Sequence, residues 1–118
     1  MLPAGNRITR SDEFARVVRR GTRVGRATLA VHLLVDRDDP RPRAGFVVSK
    51  GVGGSVVRNR VVRRLRHAVS ELMPGLPDSA RLVVRALPPA AEAGPVLTDD
   101  LRAAVASAVS RTRRGERE

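Results

Sequence analysis

Val56-Val57-Arg58-Asn59-Arg60-Val61-Val62-Arg63-Arg64-Leu65-Arg66-His67 opens a stretch of helical period that lasts to Met73 and stops at Pro74-Gly75. Turned through about 100° per residue, Val57, Val61, Leu65, Ala68 and Leu72 gather on one side, whereas Arg60, Arg63, Arg64 and His67 gather on nearly the opposite one. The apolar stripe needs a sheet or another helix to lie on, so the basic stripe faces solvent. Between Pro40 and Ser70 there is no acid, while Arg41, Arg43, Lys50, Arg58, Arg60, Arg63, Arg64 and Arg66 supply eight positive charges. A solvated face ordinarily mixes both signs, and like charges three and four residues apart repel. The stripe therefore reads as a surface for a polyanion.

Strands flank this helix. Thr28 to Val35 places Leu29, Val31, Leu33 and Val35 on one face and Ala30, His32 and Leu34 on the other, a strand covered on both sides. After the polar turn Asp36 to Pro42, Ala44 to Ser49 reads as a second strand, and a hairpin is the simplest connection between the two. Arg81 to Leu87 reads as a further strand. Upstream, Ser11 with Asp12 and Glu13 starts a short helix ending at Gly21, with Phe14, Val17 and Val18 on its apolar stripe. Gly51, Gly53 and Gly54 make a loop in which Ser55 can cap the long helix. Thr98, Asp99 and Asp100 start a last helix carrying Leu101, Ala104, Val105, Ala108 and Val109 inward. The reading is α+β, one sheet backed by helices, a single domain over residues 1–118 with its core at about 6–110 and a disordered tail at 111–118.

Lys and Arg number 23 against 12 Asp and Glu, a formal charge of +11 that opposes compact folding unless a polyanion binds. All the basic residues but Lys50 are arginine, whose planar fork suits phosphate; a GC-rich coding sequence would enrich arginine too. There is no cysteine, so disulfides and thiolate metal sites are excluded. The most apolar stretch, Leu29 to Val35, is short and contains His32, which predicts a cytoplasmic protein without a membrane span.

The Val48-Ser49-Lys50 segment leading through Gly53 to Val57-Arg58-Asn59-Arg60 and Arg63-Arg64-Leu65-Arg66 resembles the signature of the protein subunit of bacterial ribonuclease P. Asn6-Arg7, the Phe14 helix ending at Gly21-Thr22, the Gly45-Phe46 strand and the acid-started last helix follow the family's order, so the likeness spans about Asn6 to Val109. It implies an αβββαβα fold with a left-handed crossover between parallel strands, including a strand near Thr22 to Arg26 that periodicity does not reveal. It also implies that an RNA subunit cuts the 5′ leader from precursor transfer RNA, using Mg2+ held mainly by RNA, while the protein binds both RNAs. No protein partner and no membrane are implied.

By the same resemblance Lys50, Arg58, Asn59, Arg60, Arg63, Arg64 and Arg66 match the region that contacts the catalytic RNA, and Phe14, Val18 and His32 match the cleft that takes the leader. Asn59 either bonds RNA or caps a neighbouring carbonyl. Phe14 stacks on a base or fills the core, and His32 is a leader contact or an ordinary strand residue. Where the family commonly has aromatics this chain has Val18 and His32. Gly51, Gly54, Val62 and Leu87 stand where lysine, asparagine, a basic residue and arginine are common. The rival expectation is a structural RNA-binding protein of ribosomal type; independent catalysis has little to stand on, because the paired acids sit at helix starts.

Overall fold

The computed structural model describes residues 4–37 and 39–117. Its elements are α1 (Ser11–Arg20), β1 (Thr22–Gly25), β2 (Leu29–Val35), β3 (Arg43–Val47), α2 (Ser55–Leu72), β4 (Ala80–Ala86) and α3 (Pro95–Arg117), the αβββαβα order implied by the resemblance. The four strands form one sheet in the order β1-β2-β4-β3. β2 runs antiparallel to both β1 and β4, and β3 runs parallel to β4.

This order corrects the hairpin expected between β2 and β3. The strands are neighbours in sequence but β4 lies between them, pairing Leu33 with Leu82 on one side and Ala44 with Leu82 on the other. β4 is buried from Ala80 to Val84, so an inserted strand covers apolar area that a two-stranded hairpin would leave wet. The α2 helix is then the crossover that a parallel pair requires.

Alternation along the strands divides the core in two. Leu29, Val31, Leu33, Leu82, Val84, Ala44 and Val24 point to the face covered by Val61, Leu65, Ala68 and Val69 of α2 and by Leu97, Leu101, Ala104, Val105 and Ala108 of α3. On the other face Val83 packs with Ile8 and Val17, and Phe14, Val18, Leu34 and Val47 close around them. The helices therefore stand on both sides of the sheet, with α1 alone on the second face. Gly45 lies directly beneath the Phe14 ring: a Cβ built there would come within 2.5 Å of Cζ.

Helix ends depart from the expected caps. Ser11 and Ser55 are the first helical residues, while Arg10 and Gly54 take the N-cap positions with extended backbone and no side-chain cap bond. The last helix begins at Pro95, not Thr98; proline suits a first turn because its missing N–H has no partner to lose. Asp100 is consequently inside the helix, and its carboxylate accepts from Thr28 N at 3.2 Å and Thr28 Oγ1 at 2.6 Å, tying α3 to the start of β2. The helical backbone of α3 continues to Arg117, past the Arg111 from which disorder is expected.

His32 is buried, and its Nδ1 has no hydrogen-bond partner. Burial, then the charges of Arg23 and Arg85, hold its pKa below the usual imidazole value. The unfolded chain then binds the proton more readily than the folded one, so His32's contribution to stability is whole above pH 6.5 and falls as pH drops toward the folded pKa. Denaturant titrations between about pH 7.5 and 5 are expected to show this loss, and His32→Gln to flatten it. An unchanged pH slope in the variant would count against the buried neutral imidazole.

Gly45→Ala forces the Phe14 ring aside and is expected to cost about 1–3 kcal/mol of unfolding free energy by overpacking. In a Phe14→Ala background the same change should cost much less, since the clashing atoms are gone. Additive losses in that double-mutant cycle would contradict the packing of Phe14 on Gly45.

Candidate nucleic-acid interface

The arginines beside α1 and the β2–β3 loop differ in their partners from those of α2. Around the N-terminal half of α1 and that loop, arginines are paired with acids. Arg16 bridges Asp36 and lies 4.0 Å from Glu13, Arg43 reaches Asp39 at 2.7 Å and Glu13 at 3.8 Å, and Arg41 meets Asp39 at 3.0 Å. Hydrogen bonds from Arg41, then Arg43, hold the Asp39 carboxyl well below the usual carboxylate range. Arg41 and Arg43 thus leave the eight-charge run seen in the sequence, because Asp39 lies just outside it and Glu13 of α1 folds against Arg43. The remaining six, Lys50, Arg58, Arg60, Arg63, Arg64 and Arg66, have no carboxylate partner among the described residues.

The α2 helix distributes these cations over three ridges. Arg60 and Arg64 point toward α3 and the turn before it, where Arg60 Nη2 lies 3.4 Å from the Ala91 carbonyl. Arg60, Arg63, Arg64 and His67 line a groove of about 590 Å3 whose far wall is Thr98 and Arg102. Asn59, Val62, Arg63, Arg66 and His67 surround a second depression on the other flank. Asn59 is exposed there, whereas Arg58 is half-buried with its Nε unpartnered, nearer the apolar border as its wheel position indicates. Two acids border this surface among the described residues: Glu71, 3.4 Å from His67 Nε2 and 3.6 Å from Arg102 Nη2, and Glu92, which lines the depression beside Arg60 and Arg64. Lys50 is exposed in the loop that enters α2.

The three residues expected at the leader cleft share the α1 side of the sheet but not one pocket. Phe14, half-buried, borders a recess of about 260 Å3 formed with Arg7, Ile8, Gly45, Val62 and Arg66. Val18 is half-buried one turn along α1 and packs with the Val83 cluster. In the cross-strand row Arg23–His32–Val83–Gly45, Phe14 stands over Gly45, and His32 is two strands away, about 10 Å from it. His32 therefore presents little surface of its own.

Arg66 joins the two regions, since it belongs to the α2 ridge and also lines the Phe14 recess. Sequence reasoning placed it with the RNA-subunit contacts alone. It gives no site role to Arg7, which lines the same recess, or to Arg102, which extends the α2 groove onto α3. Helical period could not reveal Arg102, because which face of α3 meets α2 is a tertiary fact. Among the described residues there is no group of three or more His, Asp or Glu that could hold a metal ion, and no helix is long and apolar enough to cross a membrane.

Comparison with known proteins bears on the family and the fold. The family model described as Ribonuclease P matches residues 2–113. The ribonuclease P protein component of Streptomyces bikiniensis is 51% identical over 114 residues, covering 89% of this chain and 93% of its own length. That of Salinispora tropica is 49% identical over 99% of this chain and 98% of its own. Among solved structures, the RNase P protein of Staphylococcus aureus superposes with a TM-score of 0.79 at 22% identity, over 88% of this chain and 97% of that one. The Thermotoga maritima RNase P protein gives 0.69 at 19% identity, over 80% and 90%. At those identities the structures speak for the fold, and the near-complete match of sequence speaks for descent: the chain belongs to the ribonuclease P protein family.

Proposed function

We propose that this chain is the cytoplasmic protein subunit of a ribonuclease P whose RNA subunit performs the cleavage, and that it binds that RNA through α2 and the 5′ leader of precursor transfer RNA through the α1 side of the sheet. The observation that carries the reading is the charge partition. Arg16, Arg41 and Arg43, on α1 and about the β2–β3 loop, are paired with acids, while the six cations along and just before α2 have no carboxylate partner among the described residues. Guanidinium forks at successive turns can each take a phosphate bidentately, and Asn59 between Arg58 and Arg60 adds a directional donor and acceptor. The uncapped start of α2 beside Lys50 adds backbone N–H groups of favourable polarity.

In this reading the chain holds and orients RNA and does not cut it. Three of its acids are committed elsewhere, Glu13 and Asp39 to arginines and Asp100 to Thr28. The magnesium ions that the family's chemistry calls for stay with the RNA, and no residue of this chain is assigned to them. The Phe14 ring over Gly45, open to a recess with Arg7 and Arg66 at its rim, suits one unpaired base with its phosphates close to cations.

Arg60→Ala with Arg63→Ala is expected to weaken assembly with the RNA subunit while leaving the thermal midpoint nearly unchanged, because both side chains are exposed. Assembly affinity should fall with salt on a log–log slope steeper than about −3, several phosphates at roughly −0.7 to −0.9 each. A flat salt dependence or an unfolded variant would refute the placement of the interface. RNA that copurifies with the chain separates this function from that of a ribosomal-type binder, which would bring down ribosomal RNA. Precursor incubated with protein and magnesium alone should remain uncut.

Phe14→Leu keeps apolar volume and removes the π-face. In the reconstituted enzyme it is expected to weaken binding of leader-bearing precursor by about 1 kcal/mol and to leave leaderless transfer RNA unaffected. Equal losses for both RNAs would return Phe14 to a purely structural role.

A further inference from the structure

The face of the sheet that carries α1 also carries a second basic cluster, on β1 and β4. Arg23 stands directly opposite His32 across β1 and β2, and Arg85 stands opposite Ala30, one row along on the same face. The Arg23 side chain folds back over Gly25, where a Cβ would lie 3.2 Å from its Nη1, so it leans toward the Gly25–Ala30–Arg85 row. Both arginines are exposed, and among the described residues neither has a carboxylate partner. Between them His32 is 5% exposed, with Nδ1 lacking any hydrogen-bond partner. Two unpaired guanidiniums beside an unpartnered buried imidazole repel one another and gain from an anion in their midst.

We infer that Arg23, Arg85 and His32 form a phosphate-binding site for single-stranded RNA. Resting on the leader-cleft reading, it takes a leader phosphate about two strands from the base held by Phe14. The site gives physical sense to the loss of aromatic residues at Val18 and His32. A chain that holds the leader's backbone by charge at this end has less need of a base stack there. Its geometry favours a phosphodiester, because two exposed forks can engage both non-bridging oxygens while the imidazole donates from below. Gly25 and the buried Ala30 bring at most a methyl group to the row between the two arginines.

The two histidines of the chain make the test internally controlled, since His67 lies on the α2 face and His32 on this one. The ring resonances of both are followed by NMR at fixed pH while inorganic phosphate, and separately a short single-stranded RNA, is titrated into the full chain. The His32 ring should respond to both ligands in the parent protein. In Arg23→Gln/Arg85→Gln its response should disappear while that of His67 persists. A silent His32, or an unaltered response in the variant, overturns the inference. In the reconstituted enzyme the same variant should bind leader-bearing precursor about tenfold more weakly, leaderless transfer RNA equally well, and with a salt slope shallower by about 0.7. If Phe14→Leu weakens leader binding and the arginine variant does not, this site fails and the leader cleft stands. If the His32 response is lost in the arginine variant while neither variant distinguishes the two RNAs, the anion site stands and the leader cleft falls.

Discussion

Strand β4 is the last strand of the chain and an inner one of the sheet, and the other elements take their places from that insertion. It provides the antiparallel partner for β2 and the parallel partner for β3, which without it share no hydrogen bonds. Because β3 and β4 run the same way, the chain must travel the length of the sheet between them, and α2 makes that passage with its Val61–Leu65–Val69 stripe against the core. The direction of the basic stripe follows directly. Placing β3 at an edge also brings the flank of α2 near the other face, which is how Arg66 and Val62 come to share a recess with Phe14. Such pairings are distant in sequence, so their entropy is lost before their contacts are gained, and the sheet is expected to form late and cooperatively.

A net charge of +11 on so small a domain makes the placement of its acids decisive. They are concentrated where the backbone must be held. The Asp39 carboxylate draws in Arg41 and Arg43, while the buried Arg81 donates to the Arg41 carbonyl at 2.8 Å and the Asp39 carbonyl at 3.2 Å, fastening the β2–β3 loop to the end of β4. Arg81 is thus an arginine used for structure, satisfied mainly by main-chain oxygens, on a strand whose other arginine, Arg85, is exposed. The two differ by four residues, the same strand face and the opposite fate. What separates them is whether α1 and the loop reach over that end of the sheet.

Much of this was legible in the residues. The period of α2, the doubly covered β2 and the basic stripe rest on local spacing, and spacing survives folding. Strand order did not, because the pattern of β2 and β3 says that each is buried without naming the neighbour. Ser11 and Ser55 misled for a related reason: a cap depends on backbone angles one residue away, and Arg10 and Gly54 adopt them. Asp100, read as a helix start, proved to be a tertiary tie to Thr28. The closeness of Arg23, His32 and Arg85 follows at once from strand register, but register is the quantity that a single sequence leaves open.

The segment before α1 has a consequence for how molecules of this protein meet one another. Ile8 donates to the Ala44 carbonyl at 2.9 Å, Arg7 forms a parallel bridge with Ala44, and Asn6 Nδ2 donates to the Pro42 carbonyl at 2.8 Å. These bonds occupy the first end of the outer rim of β3, where open amides would otherwise accept a strand from another chain. Proteolytic trimming up to Ile8 would uncover that rim beside the apolar Phe46 and Val47. The trimmed protein would then be disposed to self-associate edge to edge, a route toward aggregation that the intact fold closes with a few residues of extended chain.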